Sequence, residues 1–116
     1  PEVQQLLSNS DLLILPSRWD GWGAVVSESL MQGTPVIATD KCGSSMLLKN
    51  DYRGEIVKSN SIFSLSLAIE ERMRNGKVTK NQRERILEWT KCLTGEVAAE
   101  YMLQCMAGKK IKCPWL

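Results

Sequence analysis

The chain has 116 residues, a net charge of +2 with both signs interspersed, no histidine and four cysteines. That length allows one domain with a core, and the missing histidine removes a Ser-His-Asp triad, a histidine general base and histidine metal sites from this segment. Cys42, Cys92, Cys105 and Cys113 form no C-x-x-C pair, so zinc and thioredoxin-type chemistry fit poorly and reduced, mostly buried thiols are expected.

Val3, Leu6 and Leu7 form the stripe of a helix over residues 1–9, with Pro1 suited to its first turn. Leu12-Leu13-Ile14-Leu15 is apolar at every position, which predicts a strand covered on both faces. Pro16 ends that run, and a loop follows in which Trp19 and Trp22 bracket Asp20 and two glycines, Gly21 and Gly23, occur. The apolar segment 24–32 predicts a helix closed by Gly33 and Pro35, and Val36-Ile37-Ala38 predicts a second strand. Strand, loop, helix and strand make one βαβ unit with parallel strands.

Asp40-Lys41-Cys42-Gly43-Ser44-Ser45 is a second loop at a strand's carboxyl end, leading into a short helical stretch over 44–49. Cys42 reads there as a small buried side chain rather than a reactive thiol. Asn50-Asp51-Tyr52-Arg53-Gly54 is turn chemistry, and Glu55-Ile56-Val57 is a third strand. Ser59-Asn60-Ser61 caps a helix over 62–75 whose buried side is Phe63, Leu65, Leu67, Ala68 and Met73. A further helix starts at Thr79 or Lys80, with Ile86, Leu87 and Trp89 on its apolar side. The last runs over 95–105 with Val97, Ala98, Tyr101, Met102 and Met106 inward, although part of the apolar surface of these two helices is expected to stay exposed. Lys109, Lys110 and Lys112 beside Trp115 read as a frayed basic tail, with contact to an anionic membrane surface as the alternative.

The glycine loop falls where the first strand's carboxyl end meets the next helix's amino end. Open α/β sheets bind ligands there, because free amides and the positive end of the helix dipole point outward. Gly21 and Gly23 let the backbone come close to a ligand. Asp20 lies within the loop, and Glu28, inside the helix, leans back toward the same mouth. Carboxylates that hold hydroxyls beside amides that hold an anion suit a sugar nucleotide. Singly, Asp20 is an ordinary capping residue and Glu28 a solvated one; together in this setting they favour a binding site.

Asp20-Gly21-Trp22-Gly23-Ala24-Val25-Val26-Ser27-Glu28 resembles the acidic-x7-acidic signature of retaining GT-B glycosyltransferases of the group 1 type. Asp11-Leu12-Leu13-Ile14-Leu15-Pro16-Ser17 before it and Gly33-Thr34-Pro35-Val36-Ile37-Ala38-Thr39 after it match as well. One departure is that the first acid, usually Glu, is here Asp. The resemblance implies that Asp20 faces the donor sugar as the catalytic acidic residue, that Glu28 grips the ribose, and that the amides of Trp22, Gly23, Ala24 and Val25 meet sugar and phosphate oxygens.

The implied fold is α/β, a partial Rossmann-like parallel sheet with flanking helices (an incomplete GT-B C-terminal domain) and a helical C-terminal segment. Residues 1–78 would be the later half of the nucleotide-sugar-binding domain, 79–106 the C-terminal helices and 107–116 the basic tail. On this reading the chain is a fragment, inactive alone, that lacks the N-terminal domain of its parent. Its implied partners are a nucleotide sugar and a sugar or lipid-linked acceptor, in polysaccharide or glycoconjugate biosynthesis. No cofactor, no metal and no nucleic acid are expected, and the place is the cytoplasm, with any peripheral contact at the inner face of the membrane. Two other readings stay open: a GT-B phosphorylase or epimerase, and an inactive nucleotide-binding or scaffold module.

Overall fold

The computed structural model describes residues 1–49 and 51–116; Asn50, the first residue of the expected turn 50–54, lies outside them. The sheet has three parallel strands in the order β1 (Leu13–Leu15), β2 (Val36–Thr39), β3 (Gly54–Val57). β2 is buried at all four positions, as a strand flanked on both sides and covered on both faces must be. Val36 and Ala38 point to one face, where Val26, Leu30, Leu47, Leu48 and Ile86 complete the larger core cluster. Ile37 points to the other and packs with Val57 and Ala68. The chain is therefore an α/β domain with helices on both faces of a partial Rossmann-like sheet.

The helices are α1 (Glu2–Ser8), α2 (Ala24–Met31), α3 (Ile62–Arg74), α4 (Lys80–Thr90) and α5 (Gly95–Met106), with 3₁₀ turns at Gly43–Leu47 and Lys91–Leu93. Ser61, Thr79 and Thr94 each cap a helix, their side-chain oxygens accepting from the amides of Ser64, Gln82 and Val97. Among the described residues no helix is long and apolar enough to cross a membrane.

Several expectations are corrected. β1 is an edge strand, so its all-apolar run is not covered on both faces and Ile14 is 37% exposed. In α1 only Leu7 is buried, while Val3 and Leu6 face solvent. α3 turns Leu65, Ala68 and Ile69 to the sheet and leaves Phe63, Leu67 and Met73 outside. A helix presents only one stripe to a narrow sheet, and Leu65 and Ala68 exclude the positions on the far side. On α4, Ile86 is buried and Trp89 half-buried, but Leu87 sits at the rim against Gly33. α5 has no buried residue, with Met102 and Met106 exposed, so its apolar surface is partly open as expected. The tail does not fray throughout, because Trp115 folds back edge-on to Tyr101, 5.3 Å between centroids, and joins the larger core cluster. Of the four free thiols only Cys42 is buried.

Buried polar groups join the elements at the amino end of the sheet. The Thr34 hydroxyl donates to the Leu7 carbonyl (2.7 Å), and Arg83 of α4 donates to Thr34 Oγ1 (3.0 Å) and to the Ser10 carbonyl (2.6 Å). Arg53, read from sequence only as part of a turn, is 5% exposed. Its guanidinium makes a two-point contact with Asp51, Nε to Oδ1 at 3.1 Å and Nη2 to Oδ2 at 2.9 Å, and lies 4.2 Å from the Trp89 ring centroid. Beside it, Gly54 (φ +149°) passes so close to β2 that a Cβ would stand 1.8 Å from the Val36 carbonyl oxygen.

Burial pushes the Asp51 carboxyl up, but hydrogen bonds from the Arg53 side chain and amide, with the charges of Arg53 and Arg85, outweigh it. The group ends below its ordinary value of 3.8. A carboxyl depressed in the fold adds stability that is complete above its unfolded value and is lost as pH falls through the folded one. Urea unfolding followed from about pH 7 down to roughly pH 2 should therefore lose stability in the acid limb more steeply for the native chain than for Asp51→Asn; parallel curves would mean that the pair contributes nothing.

Candidate functional site

The site grows out of the pairing of β1 with β2. Beyond their paired residues, Leu13↔Val36 to Leu15↔Ala38, the two segments meet again in an isolated parallel bridge between Asp20 and Cys42, shifted by one residue from the strand register, where the Asp20 amide donates to the Lys41 carbonyl (3.1 Å). The glycine loop is thereby laid on the turn that follows β2. Three contacts hold it there. The Trp22 carbonyl accepts from the Ser44 amide (2.8 Å) and the Cys42 thiol (3.2 Å), and the Gly23 carbonyl accepts from the Ser44 hydroxyl (2.8 Å). Cys42 and Ser44 are both buried. Cys42 is thus a small buried side chain, as expected, and it also supports the loop.

The two glycines that matter at this junction are Gly23 and Gly43. Gly23 precedes α2 at φ +77°, and a Cβ on it would stand 2.4 Å from Cys42 Sγ. A Cβ on Gly43 would stand 2.6 Å from the Gly21 carbonyl oxygen. Gly21 has nothing within 4 Å of such an atom, so only one of the two loop glycines is demanded by packing.

From Gly23, α2 runs back into the core through Val26, Ser29 and Leu30, so its amino end opens at the carboxyl edge of the sheet. Among the described residues, the amides of Trp22, Gly23, Ala24 and Val25 have no acceptor. They meet the positive end of the α2 dipole. Asp20 is half-buried in the loop and Glu28 is exposed in the second turn of α2, and neither carboxylate has a hydrogen-bond or ion-pair partner among the described residues. Asp40, at the end of β2, differs: its Oδ1 accepts from the Ser59 amide (3.0 Å), and that bond holds its carboxyl below the ordinary 3.8. The structure therefore places all six expected positions in one loop and the helix it starts, with these donors and acceptors unpartnered among the described residues.

The aromatic residues divide. Trp19 is 81% exposed. Trp22 is 49% exposed, with one edge of its ring against Gly43 and beside an apolar cavity of about 300 Å³ that Met31, Leu93 and Trp115 also line. Arg18 opens on a separate cleft with Thr39, Lys58 and Ser61, away from the glycine loop. Sequence reasoning missed the part Ser44 plays beneath the loop; the small-residue run Cys-Gly-Ser-Ser after a strand was its one visible sign. Among the described residues no group of three or more metal-binding side chains is placed to hold an ion.

The family model described as Glycosyl transferases group 1 matches residues 1–89. The chain is 31% identical over 90 residues to UDP-Gal:alpha-D-GlcNAc-diphosphoundecaprenol alpha-1,3-galactosyltransferase of Escherichia coli, an alignment covering 74% of this chain and 23% of that protein. It is 30% identical over 100 residues to an uncharacterized glycosyltransferase of Methanocaldococcus jannaschii, covering 81% of this chain and 28% of that one. The chain thus spans about a quarter of the length of these relatives.

Replacing Gly23 with alanine meets both a left-handed backbone and a collision with Cys42, whereas Gly76 (φ +81°) has nothing within 4 Å of an added Cβ. Gly76→Ala is expected to cost about 1 kcal/mol from backbone strain alone and Gly23→Ala about 2–3 kcal/mol. Urea midpoints measure both; equal losses would mean that the loop is not seated on Cys42.

Proposed function

The chain belongs to the glycosyl transferases group 1 family, and from that premise we propose that it supplies half of the donor site of an enzyme that moves a sugar from a nucleoside diphosphate sugar to an acceptor hydroxyl with retention of configuration. In this reading Asp20 faces the donor sugar and Glu28 grips the ribose hydroxyls. The amides of Trp22, Gly23, Ala24 and Val25 hold sugar and phosphate oxygens. The observation that carries the proposal is the pairing of two unpartnered carboxylates with four open amides at the amino end of α2.

The physical roles follow from the charges. As the glycosidic bond breaks, negative charge gathers on the departing diphosphate, and preorganised amides at a helix amino end stabilise it without reorganising. The Asp20 carboxylate favours the positive charge that develops on the sugar. The chain contains no histidine, and in this reading the donor phosphate itself helps take the acceptor proton. No cofactor beyond the donor is invoked.

The acceptor would be bound by an N-terminal domain outside this chain, so the chain alone is expected to be inactive. The activity named for the Escherichia coli relative supports a lipid-linked acceptor and a uridine-based donor as the first ones to try. Cell-surface polysaccharide assembly at the cytoplasmic face of the membrane is the setting that this suggests.

Calorimetric titration of the longest natural polypeptide carrying this chain with UDP-, GDP- and ADP-sugars tests the proposal. One nucleotide sugar should bind, and Glu28→Ala should weaken it by about tenfold or more, the usual loss of a charged hydrogen-bond acceptor. No binding of any of the three, or binding indifferent to Glu28→Ala, would overturn it.

A further inference from the structure

Resting on the donor-site reading above, we infer that Ser44 is a positioning residue for the donor's diphosphate, acting through the peptide planes of the glycine loop rather than by touching the ligand. The chain has no cis peptide bond among the described residues. In a trans peptide the carbonyl and the amide of the same plane point in opposite directions. The Trp22 carbonyl is drawn inward by the Ser44 amide (2.8 Å) and the Cys42 thiol (3.2 Å), which turns the Gly23 N–H outward. The Gly23 carbonyl is drawn inward by the Ser44 hydroxyl (2.8 Å) and also caps the first turn of α2 through the Val26 amide (3.0 Å), which turns the Ala24 N–H outward. Neither of these amides has an acceptor among the described residues.

Ser44 therefore engages two consecutive carbonyls with two different groups, its amide and its hydroxyl. Ser44 is fully buried, and among the described residues its hydroxyl meets only Gly23 O and Cys42 Sγ (3.2 Å), so its own geometry is set by packing. Gly23 holds this orientation in the left-handed region, at φ +77° and ψ +61°, which glycine adopts without cost from a Cβ. Two adjacent N–H groups held parallel at a helix amino end form a preorganised anion cradle, whose value lies in not having to reorient when the charge arrives. Loosening the planes would weaken recognition of the diphosphate while leaving contacts to the nucleoside as they were.

The experiment compares each nucleoside diphosphate (UDP, GDP, ADP) with its own nucleoside, titrated into the longest natural polypeptide carrying this chain and into Ser44→Ala and Cys42→Ala. Ser44→Ala is expected to weaken the best diphosphate by about two- to tenfold, the range for one lost hydrogen bond, with nucleoside affinity unchanged. Cys42→Ala, which removes a thiol contact on the Trp22 carbonyl, should move the same ratio by less. It also serves alone if Ser44→Ala does not fold. Losses equal for diphosphate and nucleoside, or none, would overturn the inference while leaving the donor reading intact. Failure of every diphosphate to bind the native protein would overturn both.

Discussion

The parallel pairing of β1 with β2 is the constraint on which the site depends. Leu15 lies opposite Ala38, and beyond the strands the two segments meet again, shifted by one residue, where the Asp20 amide donates to the Lys41 carbonyl. A slip of one residue would turn Val36 and Ala38 out of the larger cluster and Ile37 into it. It would also part the glycine loop from the turn at Cys42. Burial of β2 at every position prevents that slip, because the two faces of the strand meet helices of different size. The hydrophobic core thus determines where polar groups of the loop point.

The two ends of the sheet are finished in opposite ways. At the amino end, side chains satisfy the turns internally: Thr34 and Arg83 bind α1, the α2–β2 turn and α4 together, and Arg53 closes on Asp51 and Trp89. A buried cation is tolerated there because its donors are used and its flat face is covered. At the carboxyl end, amides at the start of α2 and the carboxylates of Asp20 and Glu28 have no internal partner among the described residues. Rigid support below and open polarity above is the arrangement a ligand site needs, since a preorganised donor loses little on binding.

The family match ends at residue 89, one residue short of the end of α4, so the 3₁₀ turn Lys91–Leu93, α5 and the tail lie outside it. Those last residues still share the core through Leu93 and Trp115, and they border the cavity beside Trp22. The segment outside the family match therefore shares a cavity wall with a loop residue inside it. The other side of α5, with Met102, Leu103 and Met106, is exposed.

Local pattern determined a good deal. The apolar runs marked the three strands, Ser61 and Thr79 marked helix starts, and two glycines between a strand and a helix marked the loop that carries the candidate residues. Each of these signals comes from residues within a turn or two of one another, where backbone preference and side-chain period act directly. Tertiary structure alone decided which stripe of α3 is buried, that β1 is an edge and that Trp115 returns to the core. It also decided that Arg53 and Arg83 are structural cations and that Ser44 supports the loop. These depend on partners far along the chain, Arg83 and Ser10 standing 73 positions apart in sequence and Ser44 and Gly23 21 apart. A residue's burial and hydrogen bonds are set by the surface brought against it, and the period of its own segment does not contain that surface.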